Sequence, residues 1–191
     1  MPAGTAAADL EAAAGRVPRL YIADGHHRSE AAAQLAQARS SATARFLGIA
    51  FPASEMRILD YNRVVRDLNG LTAEALPSAL TDAFDVSMSA RPVRPDRAGV
   101  FGMYVAETWY RLVLRRLPLP DVDPADRLDV AILSRTVLEP ILGVGDPRLD
   151  KRIDFIRGSR GLAALEASVH SGEMAVAFAL YPTGLADLFA V

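Results

Sequence analysis

Short apolar runs closed by turn residues recur along this chain, and stretches rich in Ala, Leu and Gln stand between most of them. Segments of period two and segments of helical period therefore alternate, which argues against both an all-helical bundle and a β-sandwich. The reading in order is a strand over 19–23, a turn at Asp24-Gly25, a helix over 26–39, and a strand over 44–51 stopped by Pro52. A further strand is expected at 56–59 and a helical turn at 62–68, closed by Asn69-Gly70. Thr72 is the expected N-cap of a helix over 73–83. A strand follows at 85–89, then a hairpin from 100–105 and 109–114. Leu117 to Pro124 reads as a Pro-rich connection. The longest expected helix runs from Leu128 to Leu142 and ends at Gly143. A strand at 152–156, a helix at 162–169, a strand at 175–181 and a helical turn at 184–190 complete the chain. The expected fold is α+β, a mixed sheet with flanking helices. Residues 1–116 with the inserted hairpin form one part, and residues 117–191 form a C-terminal α/β part packed on it as one unit.

Several function classes drop out. The 191 residues are 51% apolar and 23% charged, so the chain can bury a substantial core. A net charge of −2 supplies no basic field for nucleic acid. With no cysteine, disulfides, thiolate zinc sites and Cys nucleophiles are impossible. No stretch of about 18 uncharged apolar residues could span a membrane. Arginine outnumbers lysine twenty to one, and the one lysine, Lys151, follows no Gly-rich loop. Walker-type, Gly-x-Gly-x-x-Gly and Gly-x-Ser-x-Gly signatures are all missing from the sequence. The N-terminus has no basic region and reads as a short helix ending at Gly15, so the expected compartment is the cytoplasm.

Chemistry concentrates in Leu20 to Arg28, where an apolar run enters Asp24-Gly25-His26-His27-Arg28 and a helix begins at once. The first turn of a helix has free N–H groups and a partial positive charge, which favours an anion. Gly25 lets the backbone approach it, and Arg28 can hold two oxygens through its fork. His26 and His27 add donors at an end where basic groups oppose the helix dipole. Asp24 fits if it orients a histidine, caps the helix or approaches a phosphate-bound Mg²⁺. The competing reading is an Asp-Gly turn with ordinary surface histidines.

Other residues are weaker candidates. Asn62 and Arg63 either face the same ligand or form a surface salt bridge. Arg157 to Gly161 reads as a second anion nest or as a polar strand-to-helix loop. Asp150, Lys151, Arg152 and Asp154 read as a solvated ion-pair cluster. Trp109 and Tyr110 are expected as core or interface anchors, and His170 as a complement to a helix dipole.

The stretch Tyr21 to Ala32, with its Asp-Gly-His-His-Arg box, closely resembles the signature of the DUF1015 family of bacterial and archaeal proteins. Met56 to Val65, Arg152 to Gly158 and Ala177 to Thr183 resemble its later motifs. The box is similar to the phosphate-binding element of the ParB/sulfiredoxin-like superfamily, which includes free-serine kinases using ADP or ATP. The resemblance implies that Gly25, His26, His27 and Arg28 hold nucleotide phosphates, with Asn62 and Arg63 at the same ligand. It also implies Asp24 and His27 nearest the transferred group, Asp24 beside Mg²⁺, and a small hydroxyl compound such as free serine as acceptor. The alternative is a non-catalytic nucleotide-binding switch. Family members extend further on both sides of these motifs, so a partial member is expected, pairing into a homodimer through an uncovered sheet edge.

Overall fold

The computed structural model describes residues 3–39, 47–116, 121–147 and 149–190, and the chain divides into two compact units, 1–56 and 57–191. In the first unit, helix α1 (Ala3–Ala14) ends at Gly15, and α2 (His26–Arg39) follows the Asp24-Gly25 bend. A single 3₁₀ turn, Ala53–Glu55, lies beyond. The strand expected at 19–23 does not form: the segment bonds to no neighbouring strand, and among its described residues this unit contains no strand to pair with. Residues 44–46 of the expected 44–51 strand lie outside the described residues, and 47–51 are unpaired as well. None of the unit's described side chains is buried, and Leu20, Tyr21 and Ile22 are each at least half exposed.

The second unit is a six-stranded sheet. Strand β1 (Tyr61–Val65) is followed by helix α3 (Ala75–Ala79), then β2 (Phe84–Ser89), β3 (Val100–Val105) and β4 (Thr108–Leu114). Helix α4 (Asp129–Leu133) runs into a wide π turn, Ser134–Leu138. Strand β5 (Ile153–Arg157), helix α5 (Leu162–His170), strand β6 (Val176–Ala179) and helix α6 (Leu185–Ala190) complete it.

The sheet order is β2-β4-β3-β6-β1-β5, and every neighbouring pair is antiparallel. The expected mixed sheet is thus corrected to an antiparallel one. The cause is topological. β5, α5 and β6 form a strand–helix–strand unit that normally yields parallel neighbours. Here β1 inserts between the two strands and runs against both. β1 itself was expected as a helical turn. Its alternation settles the matter: Asn62 and Val64 point to one face, while Arg63 and Val65 point to the other.

Both faces carry a core. On one, Val65, Met103, Val105 and Phe178 pack with Leu76 and Leu80 around α3, with Leu133 of α4 and with Val137 and Leu138 of the π turn. On the other, Val64, Tyr104, Trp109 and Ala177 pack under Leu165 of α5. Being covered twice, β3 is buried along its whole length. The β3–β4 hairpin turns through Ala106 and Glu107, both at positive φ (44° and 60°), as a two-residue turn requires. The long helix expected over 128–142 is interrupted: the Glu139 amide reaches back to the Ser134 carbonyl at 2.9 Å, one residue further than in an α-helix. Pro140 explains the widening, since it has no N–H and its ring crowds the preceding turn. The helix expected over 73–83 is shortened to Ala75–Ala79 with Glu74 at its N-cap, and Thr72, ahead of it, accepts the Ala75 amide on Oγ1 at 3.2 Å.

Candidate functional site

The box forms the head of α2. Gly25 takes φ +81°, a left-handed conformation that favours glycine. Its carbonyl accepts the first helical hydrogen bond, from the Ser29 amide at 2.9 Å. The amides of His26, His27 and Arg28 lie ahead of that bond and have no acceptor among the described residues. The helix behind them is built of Ala, Gln and Leu, all good formers, and carries no acidic residue in its first turn.

The Arg28 side chain folds back over this turn. A Cβ on Gly25 would stand 3.0 Å from Arg28 Nη2 and 3.2 Å from Nε, so a glycine is what admits the guanidinium there. Asp24 Oδ2 lies 3.7 Å from Arg28 Nη2, with both side chains largely in water. An exposed pair of this kind is weak, and an incoming anion can replace it. Both histidines are exposed. Together, three free amides and one guanidinium at a positive helix end can receive a tetrahedral oxyanion.

Asn62 and Arg63 belong to the sheet unit, where they point to opposite faces of β1. Asn62 is fully buried: its Nδ2 donates to Asp60 Oδ2 at 2.8 Å, and its Oδ1 accepts the Leu180 amide at 3.0 Å. Arg63 lies against aromatic rings, its guanidinium carbon 4.5 Å from the Phe155 centroid and 5.0 Å from that of Tyr61. The two rings stack at 5.2 Å. Burial pulls the Arg63 guanidinium down to about 10, although the Tyr61 phenol partly opposes that shift. Its Nη1 donates to the Tyr61 carbonyl at 2.6 Å.

The later motifs meet around Asn62. β1 lies between β5 and β6, so Asp60, Gly158 and Leu180 come together at one sheet end. The Gly158 amide donates to the Asp60 carbonyl at 2.7 Å, and the Asp60 carboxylate covers the Gly158 Cα so closely that any Cβ would overlap it. Sequence reasoning included Asp60, Phe155 and Gly158 in motifs but gave them no role, because their partners sit on other strands. The expected second nest is thereby a 3₁₀ turn, Gly158–Arg160, clamped by a carboxylate, which opposes an anion at that place.

Elsewhere, Asp150 and Arg152 pair at 3.0 Å, and Arg152 also reaches Asp67 at 3.5 Å. Hydrogen bonds from the Arg152 side chain hold Asp150 down at about 2. Among the described residues, no three or more metal-ligating side chains gather into a cluster. Nor is any described helix long and apolar enough to cross a membrane.

The family model described as "protein of unknown function (DUF1015)" matches residues 3–131, a span that includes both the Asp24–Arg28 box and the Asp60–Val65 motif. No curated protein matches the chain, and no solved structure does. With the family model covering most of its length and the box standing at a helix head, the chain belongs to the DUF1015 family.

Proposed function

We propose that the head of α2 binds the phosphates of ADP or ATP, and that the chain is a cytoplasmic phosphotransferase acting on free serine or a similar small hydroxyl compound. The observation that carries this reading is the placement of the Arg28 guanidinium over the left-handed Gly25, beside three amides with no acceptor among the described residues. Phosphoryl transfer needs positioning and charge neutralisation more than covalent chemistry from the protein, and such a turn can offer both. Asp24 supplies one carboxylate. That fits Mg²⁺ only as a phosphate-borne ion, which keeps most of its ligands as water and phosphate oxygens. In this reading His27 lies nearest the transferred group and donates to its oxygens.

A second reading, nucleotide binding without turnover, draws support from the box itself, which offers a single carboxylate, Asp24, for metal and proton chemistry. One experiment separates the two. The full chain is titrated with ADP and ATP, with and without Mg²⁺, by calorimetry and thermal shift, and AMP or ADP formation is followed with L-serine present. Saturable binding that Arg28→Ala weakens at least tenfold, with serine-dependent turnover, supports the kinase. The same binding with no turnover supports the switch. No binding at millimolar nucleotide removes both.

A further inference from the structure

A cavity of about 130 Å³ opens in the sheet unit between the 3₁₀ turn Pro124–Arg127, the first turn of α4 and the Tyr181–Thr183 segment that leads into α6. It is smaller than the roughly 300–1,000 Å³ of pockets for drug-sized ligands, so it has room for a small molecule and not for a nucleotide. Its charges are mixed. Asp129 stands in the wall with 8% of its surface exposed. Its Oδ1 accepts the Gly99 amide at 2.9 Å, while its Oδ2 makes no hydrogen bond. The Tyr181 backbone amide also acts on the carboxyl, drawing its pKa down against the effect of burial. Asp187 lies at the rim, one oxygen accepting the Gly184 amide at 3.3 Å. Arg127 lines the same cavity and has no ion-pair partner among the described residues. The Thr183 hydroxyl is likewise uncommitted.

Two carboxylates of one sign and a guanidinium with no ion-pair partner among the described residues thus share a space too small for a large ligand. A buried carboxylate oxygen without a partner is costly, and a second negative charge nearby raises that cost. A cation drawn to Asp187 eases the charge on both carboxylates, and an anion on the same molecule satisfies Arg127. The geometry points to a small zwitterion as the ligand, its ammonium attracted by Asp187 and Asp129, its carboxylate held by Arg127, with Thr183 as a further donor. This inference stands on the sheet unit alone and does not rest on the phosphate reading of the box.

The acid pair makes the binding pH-dependent. Burial first, and the Asp187 charge after it, push the Asp129 carboxyl up to about 6, against the pull of the Gly99 and Tyr181 amides. An ammonium needs the ionised form, so affinity falls as pH drops below that value.

The test uses the full chain and three matched probes: L-alanine, propionate, which lacks the ammonium, and ethylamine, which lacks the carboxylate. Calorimetry at pH 7.5 is expected to show saturable binding of L-alanine at least tenfold tighter than either fragment. Asp187→Asn weakens L-alanine and ethylamine but spares propionate, whereas Arg127→Gln weakens L-alanine and propionate but spares ethylamine. Both substitutions sit at the cavity rim and leave the core intact. L-alanine binds several-fold less tightly at pH 5 than at 7.5, and Asp129→Asn removes that difference. Equal binding of all three probes, no saturable binding of L-alanine, or binding indifferent to both rim substitutions would each overturn the assignment.

Discussion

The carboxylate of Asp60 rests against the Cα of Gly158, and the Gly158 amide donates to the Asp60 carbonyl at 2.7 Å. This contact ties the entry to β1 to the exit from β5, and Asn62 extends it to Leu180 at the end of β6. Gly158→Ala is expected to cost roughly 1–3 kcal/mol, the range for an overpacked site, because a Cβ would fall 2.7 Å from Asp60 Oδ2 and overlap Oδ1. Urea denaturation measures it. In an Asp60→Ala background the same change costs less, since the atoms it strikes are gone. Equal losses in the two backgrounds would show that the contact does not govern the turn.

Asn62→Ala removes an acceptor from a buried amide, that of Leu180, and a donor from Asp60. Leaving a buried group unpaired costs about 1–3 kcal/mol. Thermal melting should therefore drop by several degrees. Asn62→Asp keeps the acceptor but sets a second carboxylate against Asp60, so its loss shrinks as pH falls and the pair takes up a proton. A pH-independent deficit would mean that the two side chains do not meet.

Much of the sheet was legible in the sequence, and its failures share one cause. Val100 to Val105 and Thr108 to Leu114 are two apolar-rich runs parted by a two-residue turn, so the hairpin is encoded locally. β1 is not. Asn62 to Leu68 carries charges at near-helical spacing, and the strands that flank it, β5 and β6, arrive far downstream. The segment 19–23 shows the converse: it looks like a strand, yet among the described residues of its unit it has none to join. The box was legible because a helix head needs only its own residues. Asp129 was not, because its partner Gly99 lies 30 positions away.

In the proposed anion site, Asp24 competes with the incoming anion for the Arg28 guanidinium. Asp24→Asn should therefore tighten binding of inorganic phosphate and of Mg²⁺-free ADP by about two- to fivefold, given the small strength of exposed pairs. If Asp24 also serves turnover, the same variant loses phosphoryl transfer. Gly25→Ala should weaken phosphate roughly tenfold or more, through the left-handed φ and the crowded guanidinium. Titration calorimetry reads all three effects. Unchanged phosphate affinity in both variants would remove the box as the anion site.

Asp129 gives stability a pH dependence with a defined sign. An unfolded aspartate titrates near ~3.9, and the folded one is pushed up to about 6 by burial. Between those values the folded chain binds more protons than the unfolded chain, so stability falls as pH rises through the window. The loss is at most about 3 kcal/mol, from a shift of roughly two units. Asp129→Asn keeps an acceptor for Gly99 and cannot ionise. It should match or exceed the wild type at pH 7.5 and lose that advantage at pH 4.5. A constant difference between the two chains across this range would place the titration elsewhere.

Helix α5 is fastened in two ways, and they should differ in strength. Tyr104 Oη lies 2.6 Å from His170 Nε2, and the Trp109 indole donates to Glu166 at 2.7 Å. Burial keeps the Tyr104 phenol protonated by raising its pKa, with the Glu166 and Glu107 charges adding to that. His170 is exposed, however, and water can replace its partner. Tyr104→Phe should then cost only about 0.5–1.5 kcal/mol. Leu165 is fully buried beneath the sheet. Leu165→Ala leaves a cavity there and should cost about 2–5 kcal/mol. Urea denaturation of the two variants under one condition decides between them. If Tyr104→Phe proves as damaging as Leu165→Ala, the polar bonds and not the apolar packing hold α5 to the sheet.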